Sequence, residues 1–259
     1  MNFFDARVVA REDLAPGYFI LRLGGCQALA GALPGQFIMV RGDWGRDPLL
    51  PRAISLLDAR ADGTAAILVR AVGRGTGLLA RVAAGARLKV LGPLGTAFPV
   101  PEAGRLDLLV AGGCGIPPIY LQASRAVAAG LADRVDVFLG GRTAQDLPYA
   151  AAIERLGVRL HLTTDDGSRG LKGLVTTALE RRLDEVGGRP TLMACGPDPM
   201  LHAVARLARV RDLPCHVSLE AAMACGLGAC LGCAVPARSR PFLYVCKDGP
   251  VFDAAEVYQ

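Results

Sequence analysis

The sequence contains little lysine, few aromatic residues and no long uninterrupted apolar run. Lysine occurs only at Lys89, Lys172 and Lys247, so arginine supplies nearly all of the positive charge. The 29 basic and 24 acidic residues give a formal charge of +5, which is spread along the chain and argues against nucleic-acid binding. The most apolar stretch, residues 106–123, is interrupted by glycines, prolines and an aspartate, so we expect no membrane-spanning helix.

The sequence also lacks the pattern of a secretory signal. Its first residues, MNFFDARVVARED, show no basic region followed by an apolar core, so we expect no cleaved or anchoring leader. With 52% hydrophobic residues, a chain of 259 residues can form a core without disulfides. We therefore expect the eight cysteines to be free or metal-bound, in a reducing cytoplasm.

Four of the eight cysteines are concentrated in one short segment of the sequence. Their spacing is Cys225-x4-Cys230-x2-Cys233-x12-Cys246. Three thiolates on one short loop and a fourth from further along the chain are typical of a plant-type [2Fe–2S] cluster. The residues between them are small, which lets backbone N–H groups approach the sulfur atoms. The sequence therefore predicts Cys225, Cys230, Cys233 and Cys246 as cluster ligands.

A structural zinc site is the main alternative for this segment, because four thiolates also bind Zn²⁺ in a tetrahedron. Zinc ribbons usually carry two short Cys-x2-Cys pairs, whereas Cys246 stands alone in the second half of this pattern. The spacing favours iron–sulfur. A zinc-stapled, non-catalytic interaction module stays open as a function of a different class.

Two regions of different pattern precede the cysteine segment. Residues 3–92 contain six short apolar segments, a hairpin signal at Asp62-Gly63 and one helical segment at 77–84, which together predict a small antiparallel β-barrel. After Gly104, apolar strands alternate with helices, which predicts a doubly wound parallel α/β sheet. The predicted units are a barrel at residues 1–100, an α/β domain at 101–215 and a small cysteine-containing subdomain at 216–259.

Three glycine-bearing turns follow predicted strands. The first, residues 73–77, leads into a helix, so its amides could hold a phosphate, although an ordinary glycine turn explains it equally well. The second, residues 111–118, has the context of a dinucleotide-binding turn without its usual glycine spacing. The third, residues 195–200, follows the last predicted parallel strand. Because ligands bind at the carboxyl ends of such strands, the second and third turns are expected to face one bound molecule.

Other titratable residues give weaker signals. Asp165 and Asp166 follow the third parallel strand and either bind a ribose hydroxyl or form a solvated turn before Gly167. The sequence places no histidine beside Cys195 to activate it as a nucleophile. We therefore predict no catalytic acid, base or nucleophile in this chain.

The order of these motifs resembles the ferredoxin–NAD(P) reductase superfamily. The motifs are Arg52-Ala53-Ile54-Ser55, Gly75-Thr76, residues 92–95, residues 112–118 and Cys195-Gly196-Pro197. The segments MACGLGACLGC and VCKDGPVF resemble the electron-transfer subunits of dihydroorotate dehydrogenase B. The resemblance extends over essentially the whole chain, and the cysteine-rich tail is its most specific part.

The resemblance implies FAD in the barrel, NAD in the α/β domain and the cluster in the last subdomain. Arg52 would neutralise the FAD pyrophosphate and Ser55 would reach the flavin. Ala53 and Val69 depart from the proline and the aromatic residue common in the family, and Cys114 stands where glycine is common. The implied FAD-binding residues are Arg52, Ala53, Ile54, Ser55, Leu68, Val69, Arg70, Gly75 and Thr76. The implied NAD-binding residues are Gly112, Gly113, Gly115, Cys195, Gly196 and Pro197.

These cofactors predict an electron-transfer function. NAD exchanges a hydride and an iron–sulfur cluster exchanges single electrons, so a flavin is required between them. The resemblance implies an FMN-containing dihydroorotate dehydrogenase catalytic subunit as partner, in a heterotetramer with two copies of each subunit that serves pyrimidine biosynthesis. A reductase subunit serving ferredoxin, a hydrogenase or a sulfur-reducing complex is the alternative with the same cofactors. Asp165 or Asp166 favours NAD over NADP by repelling a 2′-phosphate, and Arg142 or Arg169 could reverse that preference.

Overall fold

A computed structural model describes residues 2–258 of the chain. It contains a closed antiparallel barrel, a seven-stranded sheet flanked by helices, and a two-stranded hairpin. The strands are β1 (Asn2–Ala15), β2 (Tyr18–Gly24), β3 (Phe37–Gly42), β4 (Arg52–Ala59), β5 (Ala65–Arg70), β6 (Arg87–Leu94), β7 (Asp107–Gly112), β8 (Val135–Gly141), β9 (Arg159–Thr164), β10 (Leu171–Lys172), β11 (Thr191–Cys195), β12 (Cys215–Ser218), β13 (Ala234–Pro236), β14 (Phe242–Tyr244) and β15 (Val251–Asp253). The helices are α1 (Arg74–Leu79), α2 (Ile116–Ala128), α3 (Ala150–Glu154), α4 (Val175–Glu185), α5 (Asp198–Val210) and α6 (Ala254–Val257).

The barrel closes with the strand order β1-β2-β5-β4-β3-β6. Its core is formed by side chains that alternate along the strands, among them Phe19, Leu21 and Leu23 of β2. The predicted hairpin is present, since β4 and β5 pair antiparallel. Gly63 adopts a φ of 81° in the turn between them, a conformation that favours glycine because a Cβ atom would be strained there.

The helix of the barrel region begins earlier than the sequence pattern predicts. The sequence predicts a helix at 77–84, whereas α1 spans Arg74–Leu79. The hydroxyl of Thr76 accepts hydrogen bonds from the amides of Val72 and Gly73, both at 3.1 Å, and so stabilises the first turn. This local hydrogen bonding places Thr76 inside the helix rather than before it.

The second sheet has the strand order β10-β9-β8-β7-β11-β12-β15. The strands from β7 to β12 run parallel, and β15 pairs antiparallel with β12 at the edge. Helices α2 and α3 pack on one face, and α4 and α5 pack on the other. The sheet is therefore the doubly wound arrangement that the sequence predicts, with its strand order reversing between β7 and β11.

The cysteine segment is an excursion from the edge of this sheet. The chain leaves the sheet at β12, forms the antiparallel hairpin β13–β14, and returns at β15. The excursion packs against the barrel, where Phe37 and Met39 of β3 are buried together with Cys233 and Cys246. This contact places two of the four predicted cluster ligands directly on the barrel.

None of the helices described for residues 2–258 combines the length and the apolarity that crossing a bilayer requires.

Candidate functional site

A cavity of about 260 Å³ lies where the barrel, the parallel sheet and the start of the cysteine segment meet. We call it the interdomain cavity. Its barrel wall is formed mainly by Arg52, Ala53, Ile54, Ser55, Leu68, Val69, Arg70 and Thr76, together with Phe37 and Val72. Its opposite wall is formed by Cys114, Pro117, Cys195, Ser218, Leu219, Glu220, Ala221, Met223 and Pro250. The structure thus brings together eight of the nine residues that the sequence analysis assigned to FAD, with the ninth, Gly75, lying behind Arg52.

Strand pairing explains why distant residues share this wall. Strands β4 and β5 are antiparallel, so the beginning of β4 and the end of β5 lie at the same end of the barrel. Arg52 to Ser55 begin the first of these strands, and Leu68 to Arg70 end the second. The barrel therefore presents two arginines and an apolar surface to one cavity.

Arg52, which lines this cavity, is held in place by the backbone. Its Nη1 donates hydrogen bonds to the carbonyl oxygens of Leu50, at 2.8 Å, and of Pro51, at 3.1 Å. A guanidinium has five N–H donors in a planar fork, so further donors stay available for an anion. A fixed arginine beside the first turn of α1 fits the pyrophosphate of a flavin dinucleotide.

The opposite wall carries two polar residues that are not among the predicted site residues, Ser218 and Glu220. Burial raises the pKa of the Glu220 carboxyl above its ordinary value. No motif marks these residues. The signal that could have found them is strand β12, since Ser218 ends it and Glu220 follows two residues later.

The two thiols of the interdomain cavity are not activated. Burial raises the pKa of Cys114 to about 11, and burial also raises the pKa of Cys195. A thiol whose pKa is raised stays protonated at neutral pH and is a poor nucleophile. The cavity therefore has the properties of a cofactor-binding site and not those of a covalent catalytic centre.

A second cavity, of about 230 Å³, lies over the carboxyl ends of the parallel strands. We call it the strand-end cavity. Its lining residues are Arg70, Gly112, Gly113, Gly140, Gly141, Arg142, Asp146, Thr163, Asp165, Leu174, Val175, Pro197 and Met200. It lies where open α/β sheets bind their ligands, because strand order reverses beside it.

Some of the residues assigned to NAD line a cavity, and others allow the neighbouring turns to pack closely. Gly112, Gly113 and Pro197 line the strand-end cavity, whereas Cys195 lines the interdomain cavity. Gly115 and Gly196 line neither cavity. A Cβ atom at Gly115 would lie 2.0 Å from the carbonyl oxygen of Cys195, so this glycine lets the turn before α2 pack on the end of β11. A Cβ atom at Gly196 would lie 2.7 Å from the Cε atom of Met200.

The two candidate ribose-binding aspartates have different surroundings. Asp165 lines the strand-end cavity. Asp166 instead accepts hydrogen bonds from the hydroxyl of Ser168, at 2.6 Å, and from its amide, at 2.9 Å, and these bonds lower the pKa of Asp166. Arg169 forms an ion pair with Glu154 at 2.9 Å, while Arg142 lines the strand-end cavity. Asp165 and Arg142 are therefore the charged residues of this loop region that can meet a nucleotide.

The four cysteines of the tail lie in two pairs. The sulfur atoms of Cys233 and Cys246 are 3.3 Å apart, and both residues are buried. The amide of Cys230 donates a hydrogen bond to the sulfur of Cys225 at 3.4 Å, and Cys230 is exposed. Within residues 2–258, no three His, Cys, Asp or Glu side chains are arranged to hold a single metal ion.

Backbone amides surround these sulfur atoms. The amide of Leu227 donates to Cys225 at 3.3 Å, and the amide of Gly228 donates to Cys246 at 3.1 Å. Hydrogen bonds of this kind, led by the one from Leu227, lower the pKa of Cys225 to about 6. Thiolate sulfurs that accept backbone N–H bonds are the normal ligands of iron–sulfur clusters, so the residues present fit such a group.

Two family models match the chain. The model of the iron-sulfur cluster binding domain of dihydroorotate dehydrogenase B matches residues 220–258, and the model of an oxidoreductase NAD-binding domain matches residues 109–206. The first match covers the cysteine segment with its return strand, and the second covers most of the parallel sheet.

Curated relatives match over almost the full length. The dihydroorotate dehydrogenase B (NAD(+)) electron transfer subunit of Bacillus caldolyticus is 40% identical over 255 residues, which are 96% of each chain. The subunit of the same name from Desulforamulus reducens is 35% identical over 260 residues, which are 98% of this chain and 97% of the relative.

Solved structures show the same architecture. A chain of an NADH-dependent reduced ferredoxin-NADP oxidoreductase, described for flavin-based electron bifurcation, superposes with a TM-score of 0.84 and 29% identity, over 97% of this chain and 89% of its own. A ferredoxin reductase in carbazole 1,9a-dioxygenase superposes with a TM-score of 0.73 and 26% identity, over 83% of this chain and 68% of its own. The barrel followed by the parallel sheet is thus the ferredoxin reductase fold.

Proposed function

The chain belongs to the family of the electron transfer subunits of dihydroorotate dehydrogenase B, and we propose that it passes electrons from a catalytic partner subunit through a [2Fe–2S] cluster and FAD to NAD⁺. One observation carries this proposal. The apolar residues that pack around the cysteines also form part of the wall of the interdomain cavity, namely Phe37, Ala53, Leu219, Ala221 and Met223. The cluster site and the flavin site therefore share a wall.

When bound, FAD exchanges either one electron or two and so links the cluster to the nicotinamide. The chain supplies the binding groups. Arg52 provides positive charge for the flavin pyrophosphate, and the hydroxyl of Ser55 lies in the same wall as a hydrogen-bonding group for the flavin. Leu68 and Val69 add an apolar surface that excludes water from the cavity.

The nucleotide co-substrate occupies the strand-end cavity in this proposal. Gly112 and Gly113 let the backbone of the turn after β7 approach the dinucleotide without side chains in between. Asp165 faces the same cavity and repels a 2′-phosphate, which favours NAD over NADP. Comparing the rates of NADH and NADPH oxidation tests this preference, and equal rates would contradict it.

The cysteine loop is the side of the molecule that faces the partner. Cys225, Cys230, Cys233 and Cys246 hold the cluster, and the loop exposes Cys230 together with the apolar side chains of Leu227 and Leu231. Electrons enter there because it is the cluster's route to the protein surface. In this proposal, residues 1–100 bind FAD, residues 101–215 bind NAD and residues 216–259 bind the cluster.

The partner in this proposal is the FMN-containing catalytic subunit of dihydroorotate dehydrogenase, in a heterotetramer with two copies of each subunit. The complex serves pyrimidine biosynthesis in the cytoplasm, where thiols and air-sensitive clusters stay reduced. Anaerobic purification from the native host with identification of co-eluting proteins tests the partner. The purified chain alone should oxidise NADH with an artificial acceptor and leave orotate unreduced. Orotate reduction by this subunit alone would contradict the division of labour.

A second candidate keeps the cofactors and changes the partner to ferredoxin, a hydrogenase or a sulfur-reducing complex. The observation that favours it is the superposition, with a TM-score of 0.84, on a chain of a reduced ferredoxin-NADP oxidoreductase. Co-elution with a ferredoxin or a hydrogenase, in place of an FMN protein, would support this candidate. The zinc-stapled module is separated from both by metal analysis, which would then find zinc in place of iron.

A further inference from the structure

Asp146 lies between two arginines at the edge of the strand-end cavity. Its Oδ1 is 3.6 Å from Nη2 of Arg70, and its Oδ2 is 3.6 Å from Nε of Arg142. The hydroxyl of Tyr18 donates a long hydrogen bond to Oδ1 at 3.5 Å. The Asp146 side chain is only 13% exposed. All three contacts are longer than the roughly 2.7–2.9 Å of a close charge-assisted hydrogen bond, so the carboxylate is buried but loosely held.

The group formed by Tyr18, Arg70, Arg142 and Asp146 lies between two cavities. Arg70, Arg142 and Asp146 line the strand-end cavity on one side and, on the other, a surface cavity of about 380 Å³. Arg70 also lines the interdomain cavity, so its guanidinium is shared between the flavin side and the nucleotide side. Tyr18 and Arg70 belong to the barrel, whereas Arg142 and Asp146 belong to the parallel-sheet domain.

The charges in this group do not balance. Two guanidinium groups face one carboxylate, which leaves the group itself one positive charge in excess, while Asp165 is the other carboxylate that lines the strand-end cavity. A dinucleotide pyrophosphate carries two negative charges, and the planar guanidinium binds phosphate bidentately. The Asp146 carboxylate would repel that pyrophosphate if all four groups stayed in contact.

We propose that Asp146 is a positioning residue that occupies Arg70 and Arg142 until the pyrophosphate of the dinucleotide replaces it. The proposal rests on the proposed function, because it takes NAD as the ligand of the strand-end cavity. The Arg142 side chain is 73% exposed, so losing its long contact with Asp146 costs little free energy. Losing the contact with Arg70, whose side chain is 33% exposed, costs more because the carboxylate is buried, and the contacts of the phosphates with the same two guanidinium groups offset that cost. Arg70 stays in position meanwhile, because its guanidinium lies 4.9 Å from the centre of the Tyr18 ring in a cation–π contact. Asp146 thereby weakens nucleotide binding and speeds release of the product.

The same contacts also support a different role, in which Asp146 only ties the barrel to the second domain and keeps the arginines oriented. The two roles give opposite signs for one substitution. Asp146→Asn keeps the shape of the side chain and removes its charge. If Asp146 competes with the phosphates for the arginines, the variant should bind the nucleotide more tightly. If Asp146 only ties the two domains together, the variant should bind it more weakly.

The experiment measures dissociation constants of three ligands by calorimetry on the flavin- and cluster-loaded chain, which is first reduced with dithionite without oxygen so that NADH cannot transfer its hydride to the flavin. The ligands are NADH, ADP-ribose, which keeps the pyrophosphate without the nicotinamide, and adenosine, which has no phosphate. In Asp146→Asn we expect NADH and ADP-ribose to bind about 3- to 10-fold more tightly at low ionic strength, with the gain shrinking as salt is added. Adenosine should bind as it does to the parent protein.

Two further variants serve as controls. Asp133→Asn makes the same change in net charge at a residue of the same domain whose side chain is 76% exposed and pairs with Arg134 at the surface, so the dissociation constants of the nucleotides should not change. Arg142→Gln removes a phosphate partner whose side chain is 73% exposed, and it should weaken NADH and ADP-ribose binding without unfolding the protein.

Unchanged or weaker binding of NADH and ADP-ribose to Asp146→Asn would overturn the proposal, provided that its circular dichroism spectrum matches that of the parent. An equal gain for adenosine would overturn it too, because adenosine carries no charge. Failure of the proposed function has a separate signature: the parent protein itself would then bind neither NADH nor ADP-ribose.

Discussion

The backbone of Gly75 lies directly beneath the guanidinium of Arg52, so close that a Cβ atom at residue 75 would be 2.2 Å from Nε of Arg52. Gly75→Ala must therefore displace Arg52 from the wall of the interdomain cavity. We expect FAD to bind at least about 10-fold more weakly, because a charge-assisted contact to its pyrophosphate is lost. Fluorescence titration of the flavin-depleted protein with FAD measures the effect.

Gly77→Ala is the matched control for this substitution, because it also lies in α1 and its Cβ atom would meet nothing within 4 Å. It should leave FAD affinity unchanged. Equal affinities of the two variants would show that Arg52 does not bind the flavin pyrophosphate.

The assignment of four cysteines as cluster ligands can be tested by replacing one of them. Cys246→Ser removes one thiolate of the buried pair with Cys233, and we expect the purified variant to lose most of its iron, its acid-labile sulfide and its cluster absorption. Cys26→Ala is the control, since Cys26 is buried in the barrel core away from the tail. A Cys246→Ser variant with the iron content of the parent would contradict the assignment.

The turn before α2 packs closely on the end of β11, and a substitution at Gly115 tests the importance of this contact. In Gly115→Ala, the new Cβ atom would lie 2.0 Å from a backbone oxygen of Cys195, so the turn before α2 must move away from β11. We expect a loss of at least about 2 kcal/mol in the free energy of unfolding, measured with urea, and weaker NADH binding. Gly104→Ala places its Cβ atom in open space and should change neither quantity.

Glu220 predicts a dependence of stability on pH. Burial raises its pKa in the folded protein above the ordinary value of 4.5, so the folded state binds this proton more tightly than the unfolded chain does. The native state therefore loses stability as pH rises through the interval between the two pKa values. Glu220→Gln stays neutral.

The melting temperature of Glu220→Gln should therefore equal that of the parent protein below about pH 4 and be higher than that of the parent near neutral pH. Thermal unfolding of the two flavin-depleted proteins across this range measures the difference. A variant that is less stable than the parent at neutral pH would show that the charged carboxylate has a stabilising partner.

Local patterns account for the parts of the fold that the sequence predicted. The Asp62-Gly63 turn and the alternating apolar residues on either side of it are signals within one short segment, and β4 and β5 indeed form a hairpin. The alternation of strands and helices after Gly104 likewise predicted the doubly wound sheet, which is confirmed.

The pairing of β12 with β15 was not predicted, because it joins two strands of four and three residues across the whole cysteine excursion. Such short segments carry no clear periodicity. Because strand β12 was not predicted, Ser218 and Glu220 were not predicted as residues of the interdomain cavity either. The sequence motifs around Arg52 and Gly112 contain residues that line the two cavities, whereas the role that we propose for Asp146 depends on distances between two domains that no motif contains.

The most direct test of the electron path is a discharge experiment. The protein is reduced with dithionite without oxygen, freed of excess reductant and mixed with NAD⁺, while the electron paramagnetic resonance signal of the reduced cluster and the formation of NADH are followed together. The flavin-loaded protein holds three electrons, two on FAD and one on the cluster, so two chains that exchange electrons can together reduce three NAD⁺. With NAD⁺ in excess, we expect the cluster signal to disappear as about 1.5 NADH form per chain in the flavin-loaded protein, and to persist in the flavin-depleted protein. A cluster that stays reduced with FAD bound, or that discharges into NAD⁺ equally well without FAD, would contradict the proposed path.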